Sequence, residues 1–335
     1  MNQSIHVAIV GCGFTGTSLL FQLVDRFPAA KITVFEASGD FGPGYAYRTS
    51  ESPAYLLNNS ADTMCLTPDS RSAFADWLAR QDDFPGPTHG PVYPPRRLVG
   101  RFLQEALASS ELAATVKGIE VKWVASEVTG IREVADERLE LRWEDSRGTF
   151  DFVVLANGRC PDRNDFPLPA ASSPVRYEAS HVSNPRLDEL PRDALVHVLG
   201  TSLSAYDVVN HLFAPKSGCR FERDDDGTLV FHPGENHRRV VLASRGGRLK
   251  TLQSLVPPSL ETRAFTLAAL REQTADAVFR LEDVRRAIDD EAAVHGTSVD
   301  WDSLTDPYRD CTNSSEVSRK AAQDLAAAIS AARGT

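Results

Sequence analysis

Three observations predict an α/β fold for this 335-residue chain. The apolar run Val7–Val10 leads into Gly11-Cys-Gly13-Phe-Thr-Gly16, and Phe14–Phe27 then carries apolar residues at helical spacing. A second strand, Lys31–Phe35, ends in Glu36, 25 positions after Gly11. A further strand, turn and helix start recur over Leu195–Asp207. Together these predict two Rossmann-like dinucleotide-binding domains, each a three-layer parallel sheet with helices, and a C-terminal helical region. The expected limits are 1–165 for the first domain, 190–255 for the second with a hairpin insertion at 217–238, and 256–335 for the helical region.

At the first turn each glycine has its own task. Gly11 permits the tight bend, Gly13 lets the backbone approach a pyrophosphate, and Gly16 lets the helix pack on the strand. The unpaired N–H groups at the helix start face the phosphate charge. Glu36 lies near the roughly 20-residue offset of an acid that binds ribose hydroxyls. A plain ribose, as in FAD or NAD, suits this turn.

Residues 37–69 are rich in Gly, Pro, Ser and Asn and read as a long loop, held in order by its aromatics and leucines. Ser70–Gln81 and Arg96–Ser109 read as amphipathic helices, and 119–125, 127–133, 138–143 and 150–156 as strands. Prolines between 161 and 191 mark a crossing to the second domain. There Leu195–Leu199 reads as a strand, followed by Gly200-Thr-Ser202-Leu-Ser204, a phosphate turn with Ser202 in place of the middle glycine. Serine is small enough for a phosphate to approach; the alternative is a turn that no longer binds a nucleotide. The strand Val240–Ala243 runs into Ser244-Arg245 with no acid at its end. An acid there would repel a 2′-phosphate, whereas Ser and Arg hydrogen-bond one, so this turn suits NADPH. Otherwise Arg245 and Arg248 belong to an exposed basic loop. Residues 260–295 and 314–332 read as helix.

Composition removes several classes. A net charge of −10 argues against nucleic acid or an anionic membrane as partner. No apolar stretch approaches the roughly 20 residues of a membrane span. The N-terminus enters the first strand almost at once, with no signal-peptide pattern, which places the protein in the cytoplasm. Cys12, Cys65, Cys160, Cys219 and Cys311 form no Cys-x-x-Cys pair, so dithiol–disulfide chemistry is not expected. The histidines lack metal spacing, and no nucleophile–histidine–acid set has motif context. Asp289-Asp290 reads as part of a solvated helix face.

The chain resembles the FAD/NAD(P)-binding flavoproteins related to flavin-containing and N-hydroxylating monooxygenases over about 5–255. The resemblance is carried by Val10–Gly16, Phe41-Gly-Pro-Gly-Tyr45-Ala-Tyr47, Tyr55-Leu-Leu-Asn58-Asn59 with Met64, Phe74–Leu78, Tyr93-Pro-Pro-Arg-Arg97, Val153–Gly158 and Gly200–Asp207. It implies FAD held by Gly11, Gly13, Phe14, Thr15, Gly16, Glu36, Tyr45, Arg97 and Gly158, and NADPH held by Gly200, Ser202, Ser204 and Arg245. Arg97 either pairs with a phosphate or orients the flavin, or else is a solvated helix-start arginine. Asn58 and Asn59 are the catalytic candidates, at the flavin edge or a peroxyflavin, or else ordinary turn residues.

The implied activity is an FAD-dependent, NADPH-consuming monooxygenase that hydroxylates a small metabolite through a peroxyflavin. The alternatives are an NAD(P)H:acceptor flavin oxidoreductase without oxygen insertion, and a non-catalytic nucleotide-binding or partner-binding protein. Family members usually continue into a glycine-containing segment that closes over the flavin, which is not found before Thr335. The expectations are a shortened protein, a fragment, or a flavin site completed by a homo-oligomer or another partner. Gly13→Val is expected to abolish FAD binding and leave the fold intact.

Overall fold

The computed structural model describes residues 5–27, 30–159, 169–170, 172–182, 184–244, 262–273, 280–305 and 309–313, together with 316, 319, 320 and 323. Met1–Ala243 and Ser244–Thr335 form two compact units. In the first, strand β1 (Ile5–Val10) turns into helix α1 (Phe14–Arg26) and strand β2 (Ala30–Phe35). Helices α2 (Ala73–Leu78) and α3 (Arg96–Val116) follow, then strands β3 (Glu120–Val124), β4 (Val128–Glu133), β5 (Leu139–Trp143), β6 (Ser146–Phe150) and β7 (Phe152–Leu155). The chain continues through β8 (Leu195–Leu199), α4 (Leu203–Leu212), β9 (Arg220–Arg223), β10 (Leu229–His232) and β11 (Arg239–Ala243).

Val7, Ala8 and Ile9 are all buried because β1 lies between β2 and β7, parallel to both. A continuous apolar run is what a strand covered on both faces requires. The parallel sheet has the order β3-β2-β1-β7. Helices α1 and α3 cover one face, where Leu20, Val24, Leu107 and Ala114 cluster with Ile9, Ile32 and Val34. The antiparallel meander β4-β5-β6 covers the other, where Leu141 and Phe150 cluster with Ala8 and Phe35. Phe35 and Trp143 meet edge to face at 4.9 Å there. The layers are therefore helices, parallel sheet and antiparallel sheet.

In the first unit, three elements depart from their sequence reading. Helix α3 runs on to Val116 because Ser109 and Ser110 return their hydroxyls to the carbonyls of Glu105 and Ala106 instead of breaking it. It ends where Gly118, at φ +70°, lets Ile119 N–H reach Ala114 O and Gly118 N–H reach Thr115 O. The run 150–156 is two strands, not one. Phe150 closes the meander with its ring in the core, and Asp151 turns the chain by exchanging backbone and side-chain hydrogen bonds with His6. The helix read over 70–81 is a short 3-10 turn, Pro68–Ser70, followed by α2.

The loop between β2 and α2 is ordered by a core of its own. Leu57, Ala61, Met64 and Leu66 pack with Phe74, Trp77, Leu98 and Phe102. Beyond the crossing, β8 pairs in parallel with β11, and β9–β10 form a hairpin closed at Asp224, whose carboxylate accepts the N–H groups of Asp226 and Thr228.

The second unit contains α5 (Leu267–Gln273), α6 (Leu281–Val294) and α7 (Trp301–Thr305), so the 260–295 reading resolves into two helices. Most of 314–332 lies outside the described residues.

Candidate functional site

The carboxyl ends of β1, β2 and β7 converge on the first glycine turn. Gly11 sits at φ +98° and donates its N–H to Phe35 O at 2.8 Å. A Cβ on Gly11 would overlap the carbonyl of Ala156, and one on Gly16 would overlap the carbonyl of Gly11. Both positions exclude any side chain, for the turn and for the helix–strand contact respectively. Gly13 is the N-cap of α1 and makes no side-chain cap bond, and the first turn of α1 holds no acid. The N–H groups there lack a capping side chain and form a cradle for an anion.

Gly13 has a second neighbour that its motif does not reveal. A Cβ on it would come 3.3 Å from Gly44 Cα, and one on Gly44, at φ +57°, would come 2.7 Å from Gly13 Cα. Gly42 N–H also donates to Cys12 O at 2.8 Å. The Phe41–Tyr47 loop thus lies backbone to backbone on the turn, so a valine at 13 would press on this loop as well as on a ligand. The signal available in the sequence was the second Gly-x-Gly, at 42 and 44. From there the loop reaches α3, where a Cβ on Gly100 would overlap Tyr47 O. Tyr47 also packs on Phe14, with ring centroids 6.1 Å apart.

Glu36 does more than its offset implies. One carboxylate oxygen accepts Cys12 N–H at 3.0 Å, and the other accepts the N–H and hydroxyl of Ser38 at 3.1 and 2.8 Å. It therefore clamps the glycine turn from inside. A carboxylate has about four acceptor positions, so room remains for a ribose hydroxyl. Cys12 itself is buried, and that burial pushes its thiol up to about 11, so it stays protonated near neutrality.

The remaining candidates fall in several places. Gly158, at φ +69°, follows β7, two residues beyond the Ala156 carbonyl that crowds Gly11, and a Cβ there would meet open space. Thr15 is exposed in the first turn of α1. Asn58 and Asn59 are exposed beside the Leu56–Pro95 bridge at the start of α3. Arg97, in the first turn of α3, is half-buried with its Nε lacking a hydrogen-bond partner among the described residues. Tyr45 is half-exposed, and its hydroxyl lies 2.8 Å from Ser180 Oγ.

At the second turn Gly200 sits at φ +124° with its N–H on Ala243 O at 2.6 Å. Ser202 is the N-cap of α4 without a side-chain cap bond, and Ser204 is exposed in the first turn. Arg245 and Arg248 lie outside the described residues. Sequence reasoning missed Asp207 of α4, which is buried and lies 2.9 Å from Arg96 Nη2.

Among the described residues no group of three or more His, Cys, Asp or Glu is placed to hold a metal ion, and no helix is long and apolar enough to cross a membrane. The glycine cradle, the uncapped start of α1 and the spare acceptor position of Glu36 fit the pyrophosphate and ribose of a dinucleotide.

The chain is similar to several known proteins. The protein YdhS of Escherichia coli strain K12 is 28% identical over 302 residues, covering 82% of this chain and 53% of its own. Nitrosuccinic acid synthase npaA of Aspergillus oryzae is 27% identical over 266 residues, covering 72% and 40%. The chain thus spans about half the length of the curated relatives it matches. The solved ornithine N-hydroxylase of Kutzneria sp. 744 is 19% identical with a TM-score of 0.47, covering 88% of this chain and 70% of that one. A family model described as FAD-NAD(P)-binding matches residues 8–160. The glycine turn, its three converging strands and Glu36 all fall within residues 8–160, the stretch similar to that family.

Proposed function

We propose that the chain is an FAD-dependent, NADPH-consuming oxidoreductase that oxygenates a small metabolite. The observation that carries this reading is the first glycine turn, clamped by Glu36 and open at an uncapped helix start. Bound FAD supplies redox chemistry that the side chains of the described residues do not offer, passing electrons from NADPH to oxygen or another acceptor.

The chain's own residues bind and orient. Gly11, Gly13, Phe14, Thr15 and Gly16 hold the FAD pyrophosphate at the start of α1, and Glu36 accepts from the adenosine ribose. Gly158 leaves open space at the end of β7, and Tyr45 and Arg97 belong to the same site. Asn58 and Asn59 offer exposed amides to the flavin edge. Gly200, Ser202 and Ser204, with Arg245, hold NADPH. In this reading 1–165 is the FAD domain, 190–255 the NADPH domain and 256–335 a helical region. A relative named for making nitrosuccinic acid favours oxygenation over bare reduction of an acceptor.

The test is NADPH oxidation by FAD-loaded protein in an oxygen electrode with candidate small amines and acids. Substrate-dependent oxygen uptake matched by hydroxylated product supports oxygenation. NADPH oxidation that proceeds equally with an artificial acceptor and yields no hydroxylated product replaces it with acceptor reduction.

A further inference from the structure

A buried carboxylate needs a partner, and Asp207 has two. Its side chain is 6% exposed, with Arg96 Nη2 at 2.9 Å and His181 Nε2 at 3.4 Å. Neither Asp207 Oδ2 nor His181 Nε2 makes a well-aligned hydrogen bond among the described residues, so these two groups meet by proximity. Arg96 opens α3, and its Nε also donates to Leu56 O at 2.8 Å. The guanidinium therefore joins the first nucleotide region to α4, the helix that follows the second glycine turn.

The crossing segment is pinned at the same place. Tyr55 donates its hydroxyl to His181 O at 3.2 Å, and its ring meets those of His181 and His211 at 5.3 and 5.6 Å. Tyr45 and Ser180 share a hydrogen bond nearby. His211, buried on α4, pairs with Asp188 at 3.0 Å. Three stretches far apart in sequence thus meet through polar groups, Tyr55, Asp207 and His211 among them buried: the 45–57 loop with α3, residues 180–182 with Asp188, and α4.

Burying an ion pair is a poor way to gain stability compared with apolar packing, but separating the partners leaves an uncompensated buried charge, which penalises other placements. We infer that Arg96, Asp207 and His181 form a lock that fixes the second nucleotide region against the first, with Arg96 and Asp207 as positioning residues. The inference rests on the proposed two-nucleotide reading. Reaction between two bound cofactors depends steeply on their separation and angle, which is what such a lock would set.

The test compares the wild type with Arg96→Met, Asp207→Asn and Arg96→Lys by two readouts. The first is amide exchange of the nucleotide-free protein; the second is the rate of FAD reduction at saturating NADPH. The neutral variants are expected to raise exchange over 203–212 at least tenfold while β1 and β2 keep wild-type protection. Reduction at saturating NADPH should slow tenfold or more at unchanged FAD content, with the KM for NADPH moving less than threefold. Exchange and reduction within twofold of wild type overturn the lock. If the neutral variants lose protection throughout, Arg96→Lys decides: threefold faster exchange in α4 alone supports the lock, and unchanged exchange overturns it. A wild type that binds no FAD overturns the positioning role together with the reading beneath it, and exchange then decides the lock by itself.

Discussion

At the level of single residues, the glycines of the two turns separate into kinds that the sequence does not distinguish. Gly11 combines a left-handed φ with a carbonyl in the space a Cβ would fill, whereas Gly200 has the φ alone. Gly11→Ala should therefore destabilise the first unit by about 3 kcal/mol, and Gly200→Ala by about 1 kcal/mol. Urea unfolding of the two variants checks the order; equal losses would refute the packing argument. Glu36 has a structural role in its bonds to Cys12 N–H and Ser38, and the proposed function adds a ligand role. Glu36→Gln should weaken FAD binding on the order of 10- to 100-fold, the worth of a hydrogen bond to a charged group, as measured by titration of the apoprotein with FAD. Its place at the end of β2 was legible from its offset, because that spacing follows the βαβ unit. Its clamp on Cys12 N–H was not, since it depends on where the carboxylate turns after the chain has folded.

At the level of elements, β1, α1 and β2 were legible because their periodicity is local and strong. Strand β6 was not: Ser-Arg-Gly-Thr-Phe has no strand pattern of its own, and only its register with β5 defines it. Asp151 within the run 150–156 was the one local sign that the run bends. The second unit supplies a pH prediction. Glu291 of α6 accepts the backbone N–H groups of Arg263, Ala264 and Phe265, and His295 Nε2 lies 2.9 Å from it. The N–H of Phe265 foremost, then those of Ala264 and Arg263 and the His295 contact, hold its carboxyl down to about 2, against an ordinary 4.5. A carboxyl with a depressed folded pKa stabilises above its unfolded pKa and loses that contribution as pH falls through the folded one. Wild type should thus exceed Glu291→Gln in stability by a constant margin above pH 4.5, and the margin should shrink as pH falls toward 2. Thermal unfolding across that range measures it, and a margin that widens on acidification would contradict the assignment.

At the level of the whole molecule, the converging sheet ends and the backbone contacts that run from Gly13 through Gly44 and Tyr47 to Gly100 lie within the stretch matched by the FAD-NAD(P)-binding family model, and they support the proposed dinucleotide site. The Arg96–Asp207 pair was invisible in the sequence because nothing local marks two ordinary charged residues on separate helices as partners. It matters at this scale because, in the proposed function, it links the FAD region to the NADPH region. The glycine turn, by contrast, was readable because it is built from contiguous backbone between a strand and a helix. The measurement to make first is the visible absorption spectrum of the purified protein, before and after soaking with FAD and desalting. A flavin band that survives desalting in the wild type and is lost in Glu36→Ala is the expected result. A protein that stays colourless after soaking would contradict an FAD site at the first glycine turn.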